Sequence, residues 1–192
     1  MENVLKKIRD SYVSEIRRSL LGRDADDRLY CVFFPYFAWT APAEELPEQG
    51  MRLDLLTQER RQKVLDEHQD FGKRSYHSYC WAEFYGPSHL TLSLESKELE
   101  TNLLRWYNYQ QQDEFGLYNK SILNQIGRAC TAACQSLNAM DWPHDRFTDD
   151  FVVFSSCYGD DPNDYGMKQC VTDEWISNKT SEGWFNSYFP IA

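Results

Sequence analysis

The sequence predicts one α+β domain spanning residues 1–192, with helices packed on a mainly antiparallel or mixed central sheet. Three observations carry this prediction. Apolar residues recur at helical spacing over 3–21 and again over 119–140. Apolar runs of strand length lie between and after those segments. The order of elements also lacks the regular alternation of strand and helix that builds a doubly wound parallel sheet. With 192 residues, 42% hydrophobic and 15% aromatic, the chain has apolar mass for one proper core, which a disordered chain would lack.

The elements follow in order. Over 3–21, Val4, Ile8, Tyr12, Ile16 and Leu20 recur at i+4, with Lys6, Lys7, Arg9, Arg17 and Arg18 on other faces, and Gly22 stands where a C-cap belongs. Leu29-Tyr-Cys-Val-Phe-Phe34 is a continuous β-forming run, expected as a strand buried on both faces and ending near Pro35. Residues 38–50 read as loop and 51–55 as a short strand. Thr57 caps a mostly exposed helix that runs to about His68. A strand is expected over 76–85, a Gly86-Pro87-Ser88 turn after it, and then the alternating strand Leu90, Leu92, Leu94. Ser96 caps a helix with Leu99, Leu103 and Trp106 on one stripe. The longest helix, 119–140, sets Ile122, Ile126, Ala129, Ala133, Leu137 and Met140 on its core face. A strand over 151–155 follows a polar turn around Pro143. Loop 159–166, a strand over 167–171 and a short helix capped by Thr172 or Asp173 close the chain.

Charge narrows the function. The formal net charge of −10 disfavours nucleic acid and anionic membrane as direct partners and favours basic protein surfaces. The segment from Met1 has no apolar secretory core, and no run approaches the ~18 apolar residues of a membrane span, so a cytoplasmic protein is expected. The six cysteines, Cys31, Cys80, Cys130, Cys134, Cys157 and Cys170, are scattered through apolar contexts and read as reduced, buried thiols.

Acidity concentrates in the aromatic C-terminal third, 141–192. Between 141 and 182, ten carboxylates face only Arg146, Lys168 and Lys179, with Trp142, Tyr158, Tyr165, Trp175 and Trp184 interspersed. A calcium loop starting at Asp161 would offer Asp161 and Asn163, but then Tyr165, and Thr172 where the bidentate Glu belongs. Turn chemistry explains Asp-Asp-Pro-Asn-Asp better. Cys130 and Cys134 share a helical face, yet no CxxC or His-rich segment completes a zinc site. Cys157 and Cys80 could pair with His77, His89 or His144 as a nucleophile, but Asp150, Asp160 and Asp161 near Cys157 oppose a thiolate. The dispersed glycines form no phosphate loop. No catalytic residue, metal or cofactor is therefore assigned.

Three features also carry a family likeness: Leu29-Tyr-x-Val-Phe-Phe34 after an N-terminal helix, Tyr79-x-Trp81-Ala-Glu-Phe84 followed by a helix, and a long helix leading to Phe151-Val-Val-Phe-Ser-Ser156 and an Asp-rich turn. Over about 3–178 the chain resembles the small acidic α+β immunity proteins of polymorphic-toxin and contact-dependent growth inhibition systems. It departs from them in the long 38–75 segment and the Trp-containing tail. The resemblance implies a protein that binds and neutralises a cognate toxin domain, an RNase or DNase with a basic cleft, and carries no catalytic residues over. Its expected partner-binding residues are Asp149, Asp150, Asp160, Asp161, Asp164, Asp173 and Trp175. Two other classes compete: a carboxylate- or metal-dependent hydrolase, and a non-inhibitory adaptor or chaperone for a basic effector.

Overall fold

The computed structural model describes residues 2–24, 26–36, 50–67, 90–110, 120–157 and 169–181. Helix α1 (Glu2–Gly22) buries Val4, Ile8, Tyr12, Ile16 and Leu20, the stripe its spacing predicts, and ends at the expected glycine. Tyr12 fixes where the helix lies. Its ring stands 4.8 Å from that of Phe34, and its hydroxyl donates to the Gly50 carbonyl at 2.6 Å. Burial holds that phenol well above its ordinary pKa.

Phe34 belongs to β1 (Leu29–Tyr36), where only Phe33 and Tyr36 are less than fully buried. β1 pairs antiparallel with β2 (Arg52–Thr57), and β2 antiparallel with β3 (Leu90–Ser93). On its other side β1 runs parallel to β4 (Phe147–Cys157). The sheet is therefore mixed, in the order β3-β2-β1-β4, and the α+β expectation holds. β1 continues past the expected stop, with Pro35 opposite Ser156 on β4. β3 is a poorer alternating strand than its leucines suggest. Leu90 is 51% exposed, Leu92 half-buried, and Leu94 is buried only just beyond the strand's end.

The helix starts have identifiable caps. For α2 (Gln58–Glu67), Thr57 Oγ1 accepts from the Arg60 amide as expected, while Asp27 Oδ2 accepts from the Glu59 amide at 2.8 Å. Ser96 Oγ accepts from the Leu99 amide in α3 (Lys97–Gln110), which buries Leu99, Leu103 and Trp106. Thr172 Oγ1 does the same for the Trp175 amide in α5 (Asp173–Ser181).

Helix α4 (Lys120–Asn138) buries Ile126, Ala129, Cys130, Ala133, Cys134 and Leu137 against α1 and β4. Gly127 permits the close approach of α4 to β1: a Cβ there would lie 2.8 Å from the Tyr36 hydroxyl.

The main departure from expectation is β4, which begins at Phe147 rather than 151. Leu29 pairs with Phe147 and Cys31 with Val152, so five steps of β4 face two of β1. Thr148, Asp149 and Asp150 sit in this bulged stretch, and their polarity hides the strand from an apolar-pattern reading. The turn before it is closed by the Arg146 and Phe147 amides, both donating to the Pro143 carbonyl at 3.0 Å. Arg146 then reaches back to donate to the carbonyls of Leu21 and Arg23, satisfying the C-terminal end of α1. The expected strand over 167–171 is not present in its described part: 169–171 form the turn that enters α5. The expected strand over 76–85, the turn at 86–88, and loop 159–166 lie outside the described residues.

The outer edge of β4 is closed by a side chain. Asn138, the last residue of α4, accepts from the Val153 amide at 2.7 Å and donates to the Val153 carbonyl at 3.0 Å. The same Nδ2 donates to the Cys170 carbonyl at 2.8 Å. One amide thus stands in for a neighbouring strand and ties α4, β4 and the α5 turn together. Asn138→Ala is expected to cost about 2–3 kcal/mol, because it strands both main-chain groups of Val153. Asn138→Asp should cost at least as much, since it removes both donors and sets a charge against two carbonyls. Urea unfolding curves for the two variants within about 0.5 kcal/mol of the parent protein would refute this role.

Candidate partner-binding face

The expected binding residues divide sharply. Asp160, Asp161 and Asp164 lie outside the described residues. Asp149 is exposed and meets His144 Nδ1 at 3.0 Å, with their side chains 73% and 85% accessible, so the contact adds little to stability. Asp173 is exposed in the first turn of α5, where a carboxylate suits the helix dipole. Trp175 is half-buried and packs against the core.

Asp150 requires a correction as a surface contact. It has no accessible surface, and its Oδ2 accepts from Arg61 Nη1 at 2.7 Å. The guanidinium of Arg61, itself only 4% exposed, lies 4.8 Å from the centroid of the Tyr30 ring. Adjacent strand residues point to opposite sides, so once β4 begins at Phe147 one of the two aspartates must turn inward. Arg61 corrects the picture of α2 as well. The exposed-helix pattern of Gln58–Glu67 contains one arginine that is a core residue.

The turn after α4 and the first turn of α5 carry further exposed carboxylates. Asn138 holds the Cys170 carbonyl, and Gln135 Nε2 donates to the Gln169 carbonyl at 2.7 Å. The end of α4 and the start of α5 are therefore side by side. Asp141 and Asp173, each three residues past this junction, are both exposed, as are Asp145 and Glu174. Trp142 anchors the turn. Its indole donates to the Leu137 carbonyl at 2.9 Å, and its ring lies 4.7 Å from Phe147 and 5.2 Å from Phe151. Arg146 is the only Lys or Arg in 141–150 and 169–175, and its guanidinium is engaged with α1. The two segments that meet at the junction thus carry exposed Asp141, Asp145, Asp173 and Glu174 together with half-buried Trp142 and Trp175. Asp141, Asp145 and Glu174 were visible as acidic residues, but nothing in the sequence showed that the end of α4 and the turn into α5 adjoin.

Cys31, Cys130, Cys134 and Cys170 are reduced and buried, as the apolar contexts suggest. Desolvation pushes the Cys130 and Cys134 thiols up. Such thiols are poor nucleophiles. Among the described residues no group of three His, Cys, Asp or Glu is placed to hold a metal ion, and no helix is long and apolar enough to cross a membrane. Comparison with protein-family models, with curated proteins and with solved structures finds no match.

Two outcomes follow from this chemistry. Arg61→Met or Asp150→Leu alone should destabilise by about 3–5 kcal/mol, each leaving one buried charge, whereas the double variant should cost far less than the sum. Additive unfolding free energies would show that the pair is not coupled. The second concerns alkali. The folded thiol pKa values lie above the unfolded one, so the contribution of Cys130 and Cys134 is complete below pH 9 and declines as pH rises beyond it. The slope is about 1.4 kcal/mol per pH unit for each thiol that ionises only on unfolding, and it should flatten in Cys130→Ala under urea unfolding at successive pH values.

Proposed function

We propose that the protein is an immunity-type inhibitor that binds a basic toxin domain, an RNase or DNase, and neutralises it by covering its active cleft. The supporting observation is the α4–α5 junction, whose flanking segments carry exposed Asp141, Asp145, Asp149, Asp173 and Glu174 together with half-buried Trp142 and Trp175. A nuclease cleft must be positive to hold phosphate. An acidic face is drawn to that cleft and speeds encounter, while indoles already packed at one edge lose little freedom when covered and slow release. Asp160, Asp161 and Asp164 extend the same acidic segment in sequence. Such an inhibitor acts in the cytoplasm, where an incoming toxin meets its substrate.

The test uses the variable C-terminal domain of any secreted protein found encoded beside this one. Co-expression should restore growth, and the purified pair should form a complex whose association slows with added salt. Asp141→Lys with Asp173→Lys should reduce the association rate about tenfold or more at low salt while leaving the melting temperature within a few degrees. Unchanged kinetics in that double variant would remove this face from the interface. A toxin that stays active within the complex would favour the adaptor.

A further inference from the structure

The two ends of the described sheet are finished differently. At β4, Asn138 and Cys170 meet main-chain groups of Val153 and Ser155. At the other end, β3 has no described strand on its outer side. Leu94, the residue after β3, donates its amide to the Met51 carbonyl at 2.7 Å, which continues the register of Ser93 with Arg52 and Leu92 with Leu53. Main-chain groups alternate in direction along an antiparallel strand, so Leu90 and Leu92 turn theirs to β2 while Thr91 and Ser93 turn theirs outward. Leu90-Thr-Leu-Ser93 carries no charge, no proline and no bulge, the devices that ordinarily protect an edge. Leu90 is also the only large apolar side chain exposed among the described residues.

We propose that β3 is a self-association surface, pairing antiparallel with β3 of a second copy about a twofold axis between the two Thr91 residues. Leu-Thr-Leu reads the same in both directions about Thr91, as a contact between identical patches requires. In that register the two Thr91 residues exchange main-chain hydrogen bonds, and Leu90 of each copy stands opposite Leu92 of the other. Within one chain Leu90 already pairs with Leu55, and Leu92 with Leu53. Two unbroken rows of leucines then cross the joint, Leu55 and Leu90 of one copy running into Leu92 and Leu53 of the other. Moving the axis to Leu92 would set Leu90 against Leu94, which is 3% exposed and packed in the core, so that register leaves Leu90 uncovered. Charge permits the contact. Each copy carries −10 overall, yet the pairing segment is neutral, and on the other face of β2 Arg52 meets Asp54 at 3.1 Å. A four-residue edge buries well under about 1,000 Å², so the dimer is weak and depends on concentration. β3 stands at the opposite end of the sheet from β4, so this pairing does not depend on what the α4–α5 junction binds.

The experiment is sedimentation equilibrium of the full chain from about 10 μM to 1 mM, which should show a reversible monomer–dimer equilibrium. Raising salt from about 20 to 300 mM should strengthen it, because screening reduces the repulsion between two acidic copies. Capture of a basic toxin would respond to salt in the opposite sense. Leu90→Asp should weaken association about tenfold or more and leave the melting temperature within a few degrees, since the side chain is 51% exposed. Thr91→Cys reports the register. A hydrogen-bonded antiparallel pair sets its Cα atoms about 5.5 Å apart, within disulfide reach, so mild oxidation should join two copies through position 91. Ser93→Cys, displaced from the axis, should not cross-link in this way. A chain that stays monomeric at about 1 mM, a Leu90→Asp variant that dimerises as well as the parent, or equal cross-linking at 91 and 93 would each overturn the proposal. Sedimentation of the unsubstituted chain decides the matter even if a variant fails to fold.

Discussion

The parallel pairing of β1 with β4 is the constraint on which the rest of this architecture depends. Parallel neighbours need a crossover, and here more than half of the chain lies between the two strands. α4 is the last element of that crossover and delivers the chain to β4, so its packing against β4 and α1 is what brings the strand home. Gly127 lets the helix come close to Tyr36 on β1, and Arg146 ties the start of β4 to the end of α1. Each of these contacts joins segments distant in sequence. Loop closure is therefore an early entropic cost, of the kind that slows the folding of sheets with long-range pairing.

Among the described residues β4 is the last strand of the sheet, which poses a second problem, main-chain groups on its outer side that need partners other than a described strand. Asn138 answers it at Val153, and the Cys170 thiol covers the Ser155 carbonyl. An edge closed by side chains rather than by another strand resists pairing with a second molecule, since the incoming strand would have to displace satisfied hydrogen bonds. The same amide holds the turn that enters α5. Edge protection and placement of the acidic face are consequences of one contact.

Much of the architecture was legible because it rests on local chemistry. The i+4 stripe of α1, the continuous run of β1, the caps Thr57, Ser96 and Thr172, and the core face of α4 all follow from residue spacing and hydrogen-bonding side chains. What escaped was set by partners far away in sequence. Asp149 and Asp150 look alike in a charged run, and only the register against β1 sends one outward and the other to Arg61. Arg61 looks like one more charge on a solvated helix. Asn138 reads as a weak helix former at a helix end, and nothing local reveals that it serves Val153 fifteen residues on. The parallel sense of β4 was likewise invisible, because both parallel and antiparallel neighbours bury the same apolar pattern.

The buried ion pair shows why carboxylate counting is a poor guide to a binding surface. Asp150 Oδ1 finds no hydrogen-bond partner within the described residues, so the pair is only partly compensated for leaving water. A hydrophobic pair of similar volume would be about as stable, which leaves orientation as what the charge contributes. A bulged strand can slip, and a slip of one residue would exchange Asp149 with Asp150. Arg61 accepts only the register that brings a carboxylate to it. That choice keeps Asp149 outside with Asp141, Asp145, Asp173 and Glu174, and an interior arginine thereby helps decide the charge pattern of a surface it does not touch.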